Sequence, residues 1–118
     1  GLSLLVNEGE DRRNHQYIVM EVDSNFPLNR DDIIQVLLAE NILARKYFWP
    51  GCHNMEPYRS FYPHAGLLLT QTQIVSSRVI VMPTGTTMSL ENIKDVLIIL
   101  QLLSQTDAAE LVKEMLAI

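Results

Sequence analysis

The sequence has little cysteine and few basic residues, and each shortage excludes a class of protein. Cys52 is the only cysteine among 118 residues, so an internal disulfide framework and a thiolate zinc cluster are both excluded. Nine Lys and Arg face fourteen Asp and Glu, which gives a net charge of -5. Nucleic-acid surfaces need basic side chains to neutralise phosphates. We therefore expect no nucleic-acid partner, and we expect a reducing, cytoplasmic setting.

Long apolar runs are also missing. The longest, within residues 96–103, is interrupted by Gln101, whereas a membrane-spanning helix needs roughly 20 predominantly apolar residues. Residues 1–6 lack the basic leader of a signal peptide. The sequence does not start with methionine, which favours a fragment of a longer protein or a processed start. No membrane partner is expected.

What is present suits one globular domain. Hydrophobic residues make up 47% of the chain, which is enough for a real core at this length. No repeat or low-complexity tract divides it. We predict a single domain over residues 1–118, with a lead-in segment at 1–16, a core at 17–103 and a C-terminal helix at 104–118. The only candidate linker is the polar stretch at residues 7–14.

Three segments have the composition of strands. Residues 17–22 are rich in β-branched and aromatic side chains and stop at the turn former Asp23. Residues 45–49 alternate and are stopped by Pro50, which predicts a second strand near an edge. Residues 79–82 are uniformly apolar, as in a strand covered on both faces.

Four helices are predicted from capping residues and apolar spacing. The helix from Ser89 to about residue 103 is apolar nearly all round, which is typical of a buried helix or of one at an interface. The helix that starts at Asn29 should close at Asn41, a residue that tolerates the left-handed conformation. The predicted caps are Asn29, Thr70 with Gln73, Ser89, and Asp107 with Glu110.

The resulting order is β-α-β-loop-α-β-α-α, with the loop at residues 50–69. This order predicts an α+β fold, in which helices cover a small, mostly antiparallel sheet of about three strands. The loop is long and rich in aromatic and proline residues, and such ordered excursions on rigid scaffolds commonly carry function. A loop fixed by prolines and packed by its aromatics is the purely structural alternative.

Residue pairs that could carry catalysis or bind a metal are weakly supported. Cys52 and His53 invite a thiol nucleophile with its base, but neighbours on an extended loop tend to point apart and no third group orients the base. His15, His53 and His64 lack metal-ligand spacing. The adjacent carboxylates of Asp31 and Asp32 are explained by the positive end of a helix dipole.

Residues 41–59, N-I-L-A-R-K-Y-F-W-P-G-C-H-N-M-E-P-Y-R, resemble a segment of the DegT/DnrJ/StrS family of sugar aminotransferases. The matching positions are Arg45, Tyr47, Pro50, His53 and Tyr58. A second stretch, residues 69–83, resembles another family motif and keeps Leu69, Thr72, Val79 and Pro83. The family's usual glycine, proline and glutamate are replaced by Asn41, Thr70 and Gln73. The resemblance covers residues 17–103.

This resemblance implies the C-terminal small domain of a fold-type I aminotransferase. Such an enzyme uses pyridoxal 5'-phosphate to move an amino group, usually from glutamate, to a keto-sugar nucleotide. The Schiff-base lysine would lie in a large N-terminal domain, because Lys46, Lys94 and Lys113 match no Schiff-base motif. The fragment alone should bind no cofactor and be inactive. By motif position, His53, Tyr58 and Arg45 would bind the nucleotide-sugar, with closing of the pocket as the other role open to His53 and Tyr58.

The partners implied are the N-terminal cofactor-binding domain and, in the parent enzyme, a second copy in a homodimer. The apolar segments at residues 1–6 and 89–103 would then pack against the rest of the enzyme. Two other hypotheses stay open: a free-standing α+β ligand-binding or regulatory module, and a small enzyme that depends on the Cys52 thiol.

Overall fold

The computed structural model describes residues 1–6, 9 and 14–117, so nearly all of the predicted linker at residues 7–14 lies outside the described residues. The sheet consists of β1 (Leu2–Leu4), β2 (Ile18–Val22) and β3 (Val79–Met82), in the order β1-β2-β3. Both pairings are antiparallel, and Met20 of β2 lies opposite Leu4 on one side and Ile80 on the other. The predicted α+β fold with a small antiparallel sheet is confirmed.

The prediction of a strand at residues 45–49 is wrong. Arg45 makes a single bridge to Val81 of β3, and the chain then turns. The Trp49 N–H donates to the Lys46 carbonyl at 2.7 Å, and the Gly51 N–H donates to the Phe48 carbonyl, also at 2.7 Å. Because these backbone groups are satisfied by local turns, they are not available to a sheet. The third strand comes instead from residues 2–4.

The helices are α1 (Arg30–Ala39), α2 (Tyr58–Phe61), α3 (Ala65–Leu68), α4 (Thr70–Arg78), α5 (Leu90–Leu103) and α6 (Thr106–Leu116). A 3-10 turn occupies Cys52–Asn54. The excursion at residues 50–69 is therefore a series of short helical turns rather than an irregular loop. Each turn satisfies its own backbone groups, which explains how so long a connection stays ordered.

Two of the four predicted caps are confirmed. The Asn29 side chain accepts from the backbone N–H groups of Asp31 and Asp32, and Ser89 forms a complete capping box with Asn92. Asn41 has a positive φ of 59° after α1, as expected for a residue that closes a helix. Thr70 and Asp107, in contrast, lie inside the first turns of α4 and α6, whose N-cap residues are Leu69 and Gln105.

These caps give a paired test. Replacing Ser89 with alanine removes the side-chain acceptor at the start of α5 and should lower the free energy of unfolding by about 0.5–2 kcal/mol. Replacing Thr70 with alanine should leave it nearly unchanged, because α4 has no side-chain cap. Urea denaturation of both variants measures the difference, and an equal loss in the two would contradict the assignment of the caps.

The core lies between the sheet and the helices α1, α5 and α6. Helix α1 presents one apolar face to the sheet, and β3 is buried along its whole length. The largest fully buried side chains are Leu28, Ile33, Leu37 and Ile80. A core this small and one-sided leaves the other faces of the helices uncovered.

The molecule is flat, with extents of 46 × 45 × 24 Å. Its radius of gyration is 16.2 Å, against about 13.5 Å expected for a compact domain of this length. Helix α5 buries only Leu100 and Leu103, although it is apolar nearly all round. Five of its large apolar side chains are exposed: Leu90, Ile93, Leu97, Ile98 and Leu102. Among the described residues, no helix combines the length and apolarity that crossing a membrane requires.

Candidate functional site

Residues 45–59, here called the motif loop, follow α1 along the chain and end within α2. The loop starts at the edge of β3, where Arg45 and Val81 exchange two backbone hydrogen bonds of 2.9 Å. It continues through the turn at Trp49 and the 3-10 turn Cys52–Asn54 and ends in the first residues of α2. Both ends are therefore fixed by regular structure.

His53 is the buried centre of the motif loop. It is 9% exposed, and its Nε2 atom has no hydrogen-bond partner among the described residues. Its ring lies against Gly51, where an added Cβ would be 2.8 Å from Cε1 and 3.0 Å from Nδ1. A buried polar atom without a partner is rare in native proteins and points to a role other than packing.

His53 lines a hollow of about 440 Å³ between the motif loop, α3 and α4. Tyr58, the second residue predicted from the motif, lines the same hollow. Most of the remaining wall is apolar or aromatic, and the full lining is Cys52, His53, Tyr58, Tyr62, Ala65, Leu69 and Thr72. An apolar hollow with a few polar groups is the usual form of a small-molecule site.

Arg45, the third predicted residue, does not belong to this lining. Its guanidinium donates to the Tyr47 hydroxyl and lies over the Tyr47 ring, 5.6 Å from the ring centre. Tyr17 meets the same ring edge-on, with the ring centres 6.1 Å apart. The structure thus brings His53 and Tyr58 together and places Arg45 in an exposed aromatic cluster at the start of the loop.

One residue that the sequence analysis missed is Arg30, the first residue of α1. It is only 4% exposed, and its guanidinium lies 5.0 Å from the centre of the Trp49 ring. No sequence signal marked it, because an arginine in the first helical turn beside two aspartates has the pattern of an exposed residue. Burial of an arginine normally requires partners for its charge.

Asp31 is the main charged partner of Arg30 and also pairs with Lys46, at 3.0 Å from Nζ. Burial raises the pKa of the Asp31 carboxyl, but hydrogen bonds from Lys46 and Arg30 outweigh it and hold that pKa below its usual value. Asp31 therefore carries its charge at neutral pH. Besides its favourable interaction with the dipole of α1, it forms ion pairs with Arg30 and Lys46.

The thiol hypothesis finds little support in this geometry. Cys52 is exposed and lines the hollow beside His53. Within the part of the chain that the structure describes, no hydrogen bond joins the two side chains and none orients the His53 ring through Nε2. The arrangement of nucleophile, base and orienting group that activates a thiol is missing from these residues.

The three lysines lie apart from one another and from the hollow. Lys46 lies in the turn after Arg45 and is paired with Asp31, while Lys94 and Lys113 lie on α5 and α6. None of the three lines the hollow that holds His53. The three lysines are therefore not placed for a Schiff base in this hollow, and the described residues include no group of acidic, cysteine and histidine side chains suited to a metal ion.

Comparison with known proteins identifies relatives whose similarity to this chain includes the motif loop. The model of the DegT/DnrJ/EryC1/StrS aminotransferase family matches residues 2–101. A solved structure described as DesI in the presence of its TDP-sugar product superposes with a TM-score of 0.82 at 36% identity. That superposition covers 98% of this chain and 29% of the DesI chain.

Two curated relatives are dTDP-4-amino-4,6-dideoxy-D-glucose transaminases. The protein from Shigella dysenteriae is 36% identical over 58 residues, which are 49% of this chain and 16% of that protein. The protein from Escherichia coli is 29% identical over 91 residues, which are 77% of this chain and 24% of that protein. The chain thus matches less than a quarter of the length of either curated relative. With the family model matching most of its residues, the chain belongs to the DegT/DnrJ/EryC1/StrS aminotransferase family.

Proposed function

We propose that this chain is the C-terminal small domain of a pyridoxal-phosphate-dependent enzyme that transfers an amino group, with glutamate as donor, to a keto-sugar nucleotide. The observation that carries the proposal is the buried, unpartnered Nε2 of His53 beside Tyr58. It occurs in a chain that superposes along nearly its whole length on part of a protein crystallised in the presence of its TDP-sugar product.

In this proposal, His53 and Tyr58 contact the nucleotide-sugar. A neutral imidazole can donate or accept through Nε2, and a phenol can do both through its hydroxyl. A sugar-nucleotide offers hydroxyl, phosphate and base groups to both. Arg45 lies outside the hollow, but it is exposed and positively charged, so it would meet the substrate's phosphates only at the rim of the site.

The cofactor would be held outside this chain. Pyridoxal phosphate acts as an electron sink when it is bound, while its protein supplies orientation and proton transfer. The three lysines here are paired or lie on helices away from the hollow. The chain would therefore supply the rim of the active site, and the 118 residues alone would not transaminate.

The partner would be the N-terminal, cofactor-binding domain, with a second copy of the whole enzyme completing a homodimer. The exposed apolar face of α5 and the flat shape of the molecule support a large covered surface. Exposed apolar patches of this kind mark interfaces in soluble proteins. In the assembled enzyme that surface would be buried, and the motif loop would face the cofactor.

The test uses the natural reading frame that encodes this chain. We expect it to include an upstream α/β domain with a Schiff-base lysine, and the full protein to show a cofactor absorption band that the 118 residues alone lack. A reading frame limited to these residues, or a full protein without that band, would overturn the proposal.

In that full protein, His53→Ala should raise the KM for the nucleotide-sugar about 10- to 100-fold, the value of one lost hydrogen bond to a charged group. His64→Ala is the matched control, because His64 is an exposed histidine of the same excursion outside the hollow. Steady-state kinetics with glutamate held saturating separates the two. Equal effects in both variants would remove the assigned role of His53.

A further inference from the structure

We infer that Arg30 is a positioning residue that holds the motif loop, and with it His53 and Tyr58, in the geometry needed to bind the nucleotide-sugar. The inference rests on the proposed function for its substrate and on the contacts of Arg30 for its mechanism. Arg30 lies on α1, outside both motifs that resemble the aminotransferase family.

Arg30 joins three separate parts of the chain. Its Nε donates to Asp31 Oδ1 at 2.5 Å within α1, and an Nη donates to the Ser76 carbonyl of α4 at 2.7 Å. Its guanidinium carbon Cζ lies over the Trp49 ring of the motif loop, 5.0 Å from the ring centre. One buried side chain thus fixes the turn of the loop relative to two helices.

The loop has a second fixed point at Asn54. Its side-chain amide donates to the Pro50 carbonyl at 3.0 Å and to Gln73 Oε1 of α4 at 3.2 Å. His53 lies between the points fixed through Trp49 and Asn54. A side chain whose chain neighbours on both sides are fixed is restricted in position, even though its own Nε2 has no partner among the described residues.

Only arginine supplies this set of contacts. The guanidinium is planar, so it stacks on an indole ring while its N–H groups donate in the plane, whereas the lysine ammonium is a compact point charge. Lysine at position 30 could keep the ion pair with Asp31 but would lose the stacking on Trp49. The salt bridge from Lys46 to Asp31 is the support that remains when Arg30 is changed.

The first arm of the test uses the chain itself. Trp49 is the only tryptophan, so acrylamide quenching of its fluorescence reports the fixed point directly. The side chain is 44% exposed, and its release in Arg30→Met should raise the quenching constant about twofold as the stacked face becomes accessible. Arg78→Met is the control, because Arg78 pairs with Glu21 of β2. Unchanged quenching in Arg30→Met would overturn the inference.

The second arm uses the full protein. Arg30→Met should raise the KM for the nucleotide-sugar about tenfold, by analogy with the loss of oriented contacts in other sites. It should leave unchanged the rate of the half-reaction with glutamate, which does not involve the sugar. A KM equal to that of the unmodified enzyme, or an equal slowing of both half-reactions, would overturn the positioning role.

Arg30→Lys guards against simple unfolding, because it keeps a cation beside Asp31. We expect it to melt close to the unmodified protein and still to show increased quenching and a raised KM. If the unmodified full protein has no transaminase activity, the proposed function fails. That failure is distinguishable, because the difference in quenching between Arg30→Met and Arg78→Met persists without any substrate.

Discussion

Leu37→Ala should lower the free energy of unfolding by about 2–5 kcal/mol, the range measured when large buried aliphatic residues are truncated. Leu37 is fully buried at 0% exposure in the last turn of α1. Its loss removes apolar burial and leaves a cavity between α1 and the sheet, which the surrounding side chains can fill only in part. Urea denaturation followed by circular dichroism measures the change.

The control is the next residue on the same helix. Leu38 is 45% exposed, so Leu38→Ala should change the free energy of unfolding by no more than about 0.5 kcal/mol, as for most surface substitutions. The two variants delete the same atoms from the same helix and differ only in the face they occupy. Similar losses in both would mean that α1 does not bury the face assigned to it.

Gly51→Ala has the second large effect that we expect, and it acts on the motif loop. Gly51 has a φ of +86°, and an added Cβ would be 2.8 Å from Cε1 of His53. The left-handed backbone alone costs about 1–3 kcal/mol for a residue with a side chain. The contact adds a displacement of the imidazole, because the backbone of a fixed turn cannot yield by that distance.

Gly85→Ala separates these two causes. Gly85 also has a positive φ, of +152°, but an added Cβ would meet no atom of the described residues within 4 Å. Both variants should lose stability through the backbone, and only Gly51→Ala should change the imidazole resonances of His53 in a proton-nitrogen correlation spectrum. An unchanged His53 signal in Gly51→Ala would show that the ring is not packed against Gly51.

The elements predicted from sequence were those whose signals are local. Strand β2 is indicated by its β-branched residues and by Asp23, and α5 by Ser89 as its cap and by the apolar residues that follow. Asn41 has the positive φ that its position after α1 required. In each case the residues that indicate the element lie within a few sequence positions of the element itself.

The wrong predictions concern segments whose backbone and side-chain groups find partners other than those that the pattern suggests. Alternation at residues 45–49 indicated a strand, but after the bridge from Arg45 to Val81 the backbone groups are satisfied by turns and leave the edge of β3. Thr70 and Gln73 have the spacing of a capping box, but Thr70 is the first residue of α4 and Leu69 is its N-cap. The side chain of Gln73 instead accepts a hydrogen bond from Asn54. Which hydrogen-bond partner each of these groups finds depends on the folded structure and cannot be read from the local sequence pattern.

The candidate site was predictable only in part for the same reason. The resemblance to the aminotransferase family placed His53 and Tyr58 in one loop, and the fold places both on one hollow. It also suggested Arg45, whose side chain instead packs on Tyr47. Arg30 carried no signal, because its burial results from Trp49 and Ser76, which follow it by 19 and 46 positions.

The bridge between Arg45 and Val81 also affects how the sheet meets other chains. β3 would be an open edge strand, and such edges invite pairing with foreign strands and lead to aggregation. The two 2.9 Å hydrogen bonds to Arg45 occupy the N–H and C=O of Val81, in the middle of that edge. A foreign strand could extend the sheet only after the start of the motif loop had lifted away, so the same two bonds that hold the loop also block strand-to-strand aggregation at this edge.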